Sequence, residues 1–317
     1  MDNEPWDVIV VGGGAAGLNA ALVLARARRR VVVVDAGEPR NRFAPHMHGF
    51  LSRDGMSPLE LLEIGRGEVR GYGGEIVSAR AVRVAGEAGS FSVELDDGRM
   101  LAARRLVIAT GLRDELPDIP GLASHWGTGA VACPYCDGWE ARDSRIGVLA
   151  TGPMSVHQAG LLRQWSADVT FVGPLTAELE PETRAGLEAR GVRIDGRAVT
   201  AVLDDGADPG ILTGLALDDG STLPLDRLFV GPRLVARDEL LRQLGAEYAD
   251  TPMGPWVASE AFGATSVPGV WVAGNSAVSH ALVVMAAASG ASVGTQINAD
   301  LVADDTRRAL AAVATDE

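Results

Sequence analysis

Gly12-Gly13-Gly14-Ala15-Ala16-Gly17 restricts what this chain can fold into more than any other segment, because of what flanks it. Asp7 to Val11 is a short apolar run of strand length. A helical pattern runs from about Ala15 to Arg28, and Arg30 to Val34 reads as a second strand ending at Asp35. Strand, glycine turn, helix and strand in that order form a dinucleotide-binding unit. Gly12 permits the tight turn, Gly14 lets a pyrophosphate approach the backbone, and Gly17 lets helix and strand pack closely. Ala15 and Ala16 open the helix whose N-terminus stabilises the phosphates. Asp35 can accept hydrogen bonds from a ribose. The turn alone does not distinguish FAD from NAD.

At 317 residues the chain suits two domains. Its net charge of −14 argues against nucleic acid, whose phosphates would repel such a surface. Arg26 to Arg30 is the one basic cluster, and it lies where the first helix should end, as cations complementing the helix dipole do. No lysine occurs, which excludes a lysine Schiff base and pyridoxal-phosphate chemistry. No basic, apolar leader opens the sequence, and no apolar run approaches the roughly 20 residues of a membrane span. A cytoplasmic protein without membrane or nucleic-acid partners is therefore expected. The only two cysteines stand in Cys133-Pro134-Tyr135-Cys136-Asp137-Gly138, and in that compartment a lone Cys-x-x-Cys reads as redox-active. His46-x-His48 has no third ligand nearby, so no metal is expected. Cys-Pro-Tyr-Cys is also a glutaredoxin signature, but here it follows a complete dinucleotide unit, and that context rules the glutaredoxin reading out.

Two later segments carry a resemblance. Leu106-Val107-Ile108-Ala109-Thr110-Gly111 is similar to the strand-plus-ATG segment of flavoproteins with two dinucleotide domains, and Gly269 to Asn275 resembles their later Gly-Asp segment at the flavin ribityl chain. Together with the first turn they imply FAD. Nearly end to end, the chain resembles the low-molecular-weight thioredoxin reductases. That resemblance implies an α/β fold of two Rossmann-like three-layer domains, the second inserted into the first, and a homodimer. The FAD-binding domain would comprise 1–115 and 236–317, and the inserted domain, 116–235, would carry the cysteines. The Pro- and Gly-rich Leu116 to Gly121 marks the first crossing, and the second should fall near Arg233 to Arg237. Carried over from the family, Cys133 is the interchange thiol, Cys136 the thiol against the flavin, and Asp137 the general acid. Asp137 also suits an N-cap for the segment after it. Beyond the glycine turn and Asp35, the implied FAD contacts are Ala36, Arg40, Asn41, His48, Val82, Ala109, Thr110, Gly111, Gly274, Asn275, Ala281 and Leu282.

The departures from that family point to the reaction. Where the reductases carry a second glycine turn for NADPH, this chain has Ala150-Thr151-Gly152-Pro153-Met154-Ser155. Pro153 removes an N–H where phosphates should approach. No arginine stands between Arg163 and Arg184 to hold a 2′-phosphate. Asn275 replaces the family Asp, and Ala281-Leu282 replaces its polar Arg-Gln, after His280, a candidate proton carrier. These features resemble the thioredoxin-reductase-like dithiol oxidases that close disulfides in small antibiotics of the gliotoxin and holomycin type. They imply a small-molecule dithiol substrate and O2 as electron acceptor. A disulfide reductase fed by NADPH or ferredoxin, and a flavoprotein that only sequesters a disulfide compound, are the alternatives.

Overall fold

The computed structural model describes residues 4–207 and 211–315. The outermost ends of the expected FAD-binding domain, 1–3 and 316–317, and residues 208–210 of the expected inserted domain lie outside the described residues. The chain divides into two compact units: Met1–Arg40, Leu59–Arg113 and Leu234–Glu317 form the first, Asn41–Pro58 and Asp114–Arg233 the second. The crossings thus fall slightly before the expected boundaries. The larger difference is Asn41–Pro58, expected within the FAD-binding domain and grouped instead with the second unit. Its contacts give the reason. Gly127 sits so tightly on Phe43 that a Cβ there would stand 2.7 Å from the Phe43 backbone, and His48 faces Glu140. No helix or strand forms between 41 and 57, so no periodic pattern marks the surface this stretch packs on.

In the first unit Trp6–Val11 lies between Val31–Asp35 and Met100–Ile108, all parallel, with Glu75–Ser78 outside Val31–Asp35. Met100–Ile108 serves two partners: its beginning pairs antiparallel with Ser90–Leu95, its end parallel with Val270–Val272. The strands read as unbroken valine and isoleucine runs because both sheet faces are covered. Ile9, Val11, Val32 and Val34 belong to one buried cluster, and Val8, Val10, Val31 and Val33 to another beneath the helix Ala15–Arg26. That helix stops two residues early, where the Arg28 backbone turns left-handed at φ 64°. Its basic end is spent on the protein itself. Arg29 binds Asn298 and Asp305, at 2.9 and 2.7 Å, Arg26 stacks on Tyr72 and Arg30 on Trp6.

The last helix, Val283–Thr315, packs against Ala15–Arg26 at close range. A Cβ at Gly290 would collide with the Ala16 carbonyl, and one at Gly294 would stand 2.9 Å from the Ala20 carbonyl. No other residue type fits position 290.

The second unit repeats the plan. A five-stranded parallel sheet runs in the order Val192–Asp195, Val169–Val172, Ile146–Leu149, Arg227–Val230, Ala130–Val131. A three-stranded antiparallel sheet, Val199–Asp204, Leu212–Leu217 and Thr222–Pro224, accompanies it. The fold is α/β with two Rossmann-like domains. No helix of the described residues is long and apolar enough to cross a membrane.

The helix contact can be measured. Gly290→Val should cost at least about 1–3 kcal/mol, the usual penalty of overpacking, and lower Tm in a thermal melt. Gly67→Ala, in the helix Pro58–Gly71 with nothing within 4 Å of the added carbon, should hold or raise Tm.

Candidate active site

The first turn contains glycines required by packing and one required by something else. Gly12 sits at φ +109°, and a Cβ on it would collide with the Ala109 carbonyl, as one on Gly17 would with the Gly12 carbonyl. Gly14 is extended, at φ −77° and ψ −177°, and a Cβ there would meet nothing within 4 Å. This open cradle at the N-terminus of a twelve-residue helix, beside the first N–H groups of Ala15 and Ala16, suits a pyrophosphate. Gly13 was not singled out from the sequence, yet a Cβ there would strike the Asp35 carboxylate. Asp35 accepts from Gly37 N at 3.1 Å and from Arg66 at 2.9 Å, each oxygen keeping a lone pair for a ribose hydroxyl. A cavity of about 480 Å³ opens beside it, lined among others by Ala36, Arg66, Arg70, Ser78 and Arg80. Arg66 lies 31 residues from Asp35, and no local signal reveals it.

The other two flavin-type segments meet through a residue the sequence reading missed, Ser276. Its buried hydroxyl accepts from Gly111 N at 2.7 Å and lies 3.4 Å from Thr110 Oγ1, while its carbonyl accepts from Trp256 Nε1 at 2.9 Å. Thr110 Oγ1 donates to the Arg237 carbonyl at 2.6 Å. Ala109 N donates to the Val11 carbonyl at 2.8 Å, which brings this segment to the glycine turn. Gly274 lies against Ala16, where a Cβ would approach the Ala16 side chain to 2.7 Å. The two amide N–H groups of Asn275 are shared among the carbonyls of Val278, Ser279 and Ala281, at 3.1, 3.0 and 3.2 Å. An aspartate, which only accepts when ionised, cannot do this. The amide thereby folds back the turn that carries exposed His280, partly buried Ala281 and exposed Leu282.

The remaining expected contacts are scattered. Val82 is exposed on Ala81–Glu87, where its carbonyl accepts from Gln243 at 3.2 Å. Arg40 closes a segment of the first unit, and Asn41 opens the second unit, its carbonyl accepting from Ala44 N at 3.1 Å.

In the second unit Cys133 and Cys136 are joined as a disulfide, with Cα atoms 5.2 Å apart. Cys133 caps the short helix Pro134–Asp137, and its sulfur accepts from Cys136 N at 3.1 Å. That N–H stabilises negative charge on Cys133 Sγ once the bond opens. The N-cap is thus Cys133, while Asp137 closes the helix. Gly138 is fixed by space, since a Cβ there would collide with the Pro134 carbonyl and stand 2.8 Å from the Trp165 ring. Gln158 holds the Ala132 carbonyl at 2.6 Å, just before Cys133. Tyr135 and Trp139 stand exposed around the pair. Burial first, then the charge of Glu140, pushes the Asp137 carboxyl up to about 6, against the opposing influence of His48 and Arg227. His48, expected at the flavin, is seated between Asp54 and Glu140.

The second glycine turn has the right place, but several of its donors are taken or missing. It links Ile146–Leu149 to the helix Pro153–Leu162, as a phosphate loop would. Thr151 N, however, donates to Ser155 Oγ at 3.2 Å, and Ser155 N to the Gly152 carbonyl at 3.0 Å. Thr151 Oγ1 bonds to Ser155 Oγ at 3.0 Å and to the Gly231 carbonyl at 2.9 Å. Pro153 has no N–H to offer. A buried serine hydroxyl occupies the donor that a phosphate oxygen would take. The first arginine beyond the next strand, Arg184, is bound to the Thr176 carbonyl at 2.6 Å.

No metal-binding cluster of three or more His, Cys, Asp or Glu occurs among the described residues. The family model described as pyridine nucleotide-disulphide oxidoreductase matches residues 6–290. Thioredoxin reductase sirT of Leptosphaeria maculans is 33% identical over 308 residues, covering 92% of this chain and 93% of its own. Thioredoxin reductase tcpT of Claviceps purpurea (strain 20.1) is 32% identical over 312 residues, covering 94% and 95%. Among solved structures, the crystal structure of HlmI has a TM-score of 0.92 and 46% identity, covering 99% of this chain and 98% of that one.

Asn275→Asp should leave three carbonyls without a donor and set a carboxylate among them, a loss of about 1–3 kcal/mol. A lower Tm and weaker flavin retention on gel filtration are the expected readings, with Asn275→Gln closer to the parent.

Proposed function

The chain belongs to the pyridine nucleotide-disulphide oxidoreductase family and is a thioredoxin-reductase-like, flavin-dependent thiol/disulfide oxidoreductase; from that premise we propose that it is an FAD-dependent oxidase of a small-molecule dithiol. The observation that carries this reading is the contrast between the two turns. The first keeps an open cradle at Gly14, while in the second Thr151 N is taken by Ser155 Oγ, Ser155 N by the Gly152 carbonyl, and Pro153 has no N–H. Electrons then enter from thiols, not from a nicotinamide.

The disulfide present at Cys133–Cys136 is the immediate oxidant. One substrate thiolate attacks Cys133 Sγ, the Cys133–Cys136 bond breaks, and Cys136 leaves as thiolate. The second substrate thiol loses its proton and attacks the first substrate sulfur, forming the substrate disulfide and releasing Cys133. Two protons and one electron pair have then left the substrate. The Cys136 N–H stabilises the departing Cys133 thiolate. Asp137, partly buried beside the pair, takes a proton when ionised. Gly12 to Gly17, Asp35 and the Thr110–Gly111 and Gly274–Asn275 segments hold FAD, which when bound accepts the electron pair and passes it to O2, giving H2O2. The chain acts as a cytoplasmic homodimer on this reading, in line with the resemblance.

One observation favours a second reading, a reductase fed by NADPH. Gly152 still faces open space, with nothing within 4 Å of an added Cβ. Anaerobic flavin absorbance separates the two. Dithiothreitol should bleach the flavin, and air should restore it with release of peroxide. NADPH at micromolar concentration should leave it oxidised, and rapid bleaching by NADPH would make the protein a reductase. Cys133→Ser should abolish dithiol bleaching.

The pH dependence has a definite sign. A base must be ionised to accept a proton, so dithiol reduction should rise with pH through an inflection near 6, where Asp137 titrates. Asp137→Asn should slow the step by about 10²-fold and remove that inflection.

A further inference from the structure

Closing a disulfide in a dithiol releases two protons, and Asp137 can hold only one of them. A second acceptor is needed, and the loop 41–57 brings a histidine to the segment that carries the Cys133–Cys136 pair. Its backbone is tied back on itself: Met47 N donates to the Met56 carbonyl and Gly55 N to the Met47 carbonyl, both at 2.9 Å, with the Met47 side chain buried. His48 follows this anchor. Its Nδ1 lies 3.4 Å from Asp54 Oδ2, and Asp54 is fixed in turn by Gly49 N at 2.8 Å. Both ring nitrogens face carboxylates, so the imidazole can hold a proton on Nδ1 toward Asp54 and take another at Nε2. Nε2 faces Glu140 Oε1 at 3.6 Å, four residues beyond Cys136. Exposure runs outward along this chain of groups: the His48 side chain is 23% exposed, Glu140 41% and Asp54 67%.

We propose that His48, oriented by Asp54, is the proton carrier of the dithiol half-reaction, taking the proton that Asp137 cannot hold and releasing it to solvent beside Glu140. This rests on the dithiol reading above. The step balances within the protein. The substrate loses two S–H protons and gains one S–S bond, and the electron pair opens Cys133–Cys136 to two thiolates. One proton goes to the Asp137 carboxylate and the other to His48 Nε2. The charged groups around this relay come from three elements: Asp54 on the loop, Asp137 and Glu140 on the cysteine segment, and Arg227 on the strand Arg227–Val230. Two other histidines of the second unit are held elsewhere. His46 is tied to the Gly55 carbonyl at 3.0 Å, and His125 lies 3.3 Å from Asp204.

The test follows the disulfide itself. Intact flavoprotein is mixed anaerobically with dithiothreitol, quenched with an alkylating reagent at set times, and the label on Cys133 and Cys136 is read by mass spectrometry from pH 5 to 8. His48→Gln should slow opening of the disulfide about tenfold, with added imidazole restoring the rate. Once protonated, His48 helps hold Asp137 down, so its loss should move the inflection near 6 upward, while Glu140→Gln should move it downward. Flavin absorbance and Tm of each variant confirm that it is folded. Parent rates with an unmoved inflection in His48→Gln would overturn the proposal. A slowed rate that imidazole does not rescue and an unmoved inflection would overturn it equally, since that is what a merely structural histidine gives. If dithiothreitol fails to open the disulfide of the parent protein at all, the dithiol reading itself falls and this inference with it.

Discussion

The dinucleotide site of the first unit depends on one close approach, the Gly290 backbone against the Ala16 carbonyl. Ala16 belongs to the helix that should meet the phosphates, and Gly290 to a helix that begins nearly three hundred residues into the chain. At that separation any side chain on residue 290 would part the two helices. The segment Gly274–Ser276, just before the second helix, would then lose its place against Ala16 and its bond to Gly111. Three segments far apart in sequence therefore share one geometry because two helices touch through glycine. This also explains how a discontinuous domain holds together: the interrupted chain is closed by a helix pair whose packing admits no slack.

The two units share the order of four parallel strands and the same strand–turn–helix device, so the difference between their turns bears on what a nucleotide site needs. Backbone N–H groups at a helix start bind phosphate only while they are unpaired. In the first turn the space over Gly14 stays open. In the second the Ser155 hydroxyl takes the Thr151 donor and Pro153 deletes another. The helix, the strand and the fold remain intact. A few atoms of side chain change how many backbone donors such a turn can offer, and a shared fold gives no guarantee of a shared cofactor.

Much of this could be read from residue pattern because the features concerned are local. A glycine turn between a strand and a helix declares itself in a few residues, as does Cys-x-x-Cys. The missing arginine clamp is equally plain from the order of residue types. Other features depend on contacts across long separations. Ser276 matters only because Gly111 donates to it, and Arg66 only because it reaches Asp35. Asn275 reads as a weakened aspartate until its amide is seen to hold three carbonyls. The stretch 41–57 has neither period nor secondary structure, so nothing in it announced that it packs with the second unit or that His48 would face Glu140.

The cysteine pair adds a final constraint on what can be oxidised. With only two cysteines, the chain has no second pair to relay electrons, so on the proposed reading the substrate itself must reach the Cys133–Cys136 disulfide. After the first attack the substrate is bound as a mixed disulfide, and the next event is displacement of Cys133 by another thiol. A thiol tethered to the same molecule acts at an effective concentration far above any free thiol. The exposed rings of Tyr135 and Trp139 beside the pair suit a compact, largely apolar molecule that can lie close to the sulfur. On the proposed dithiol reading, a tethered second thiol is favoured over a separate monothiol, because one sulfur is engaged at the disulfide and the second arrives by its own covalent tether.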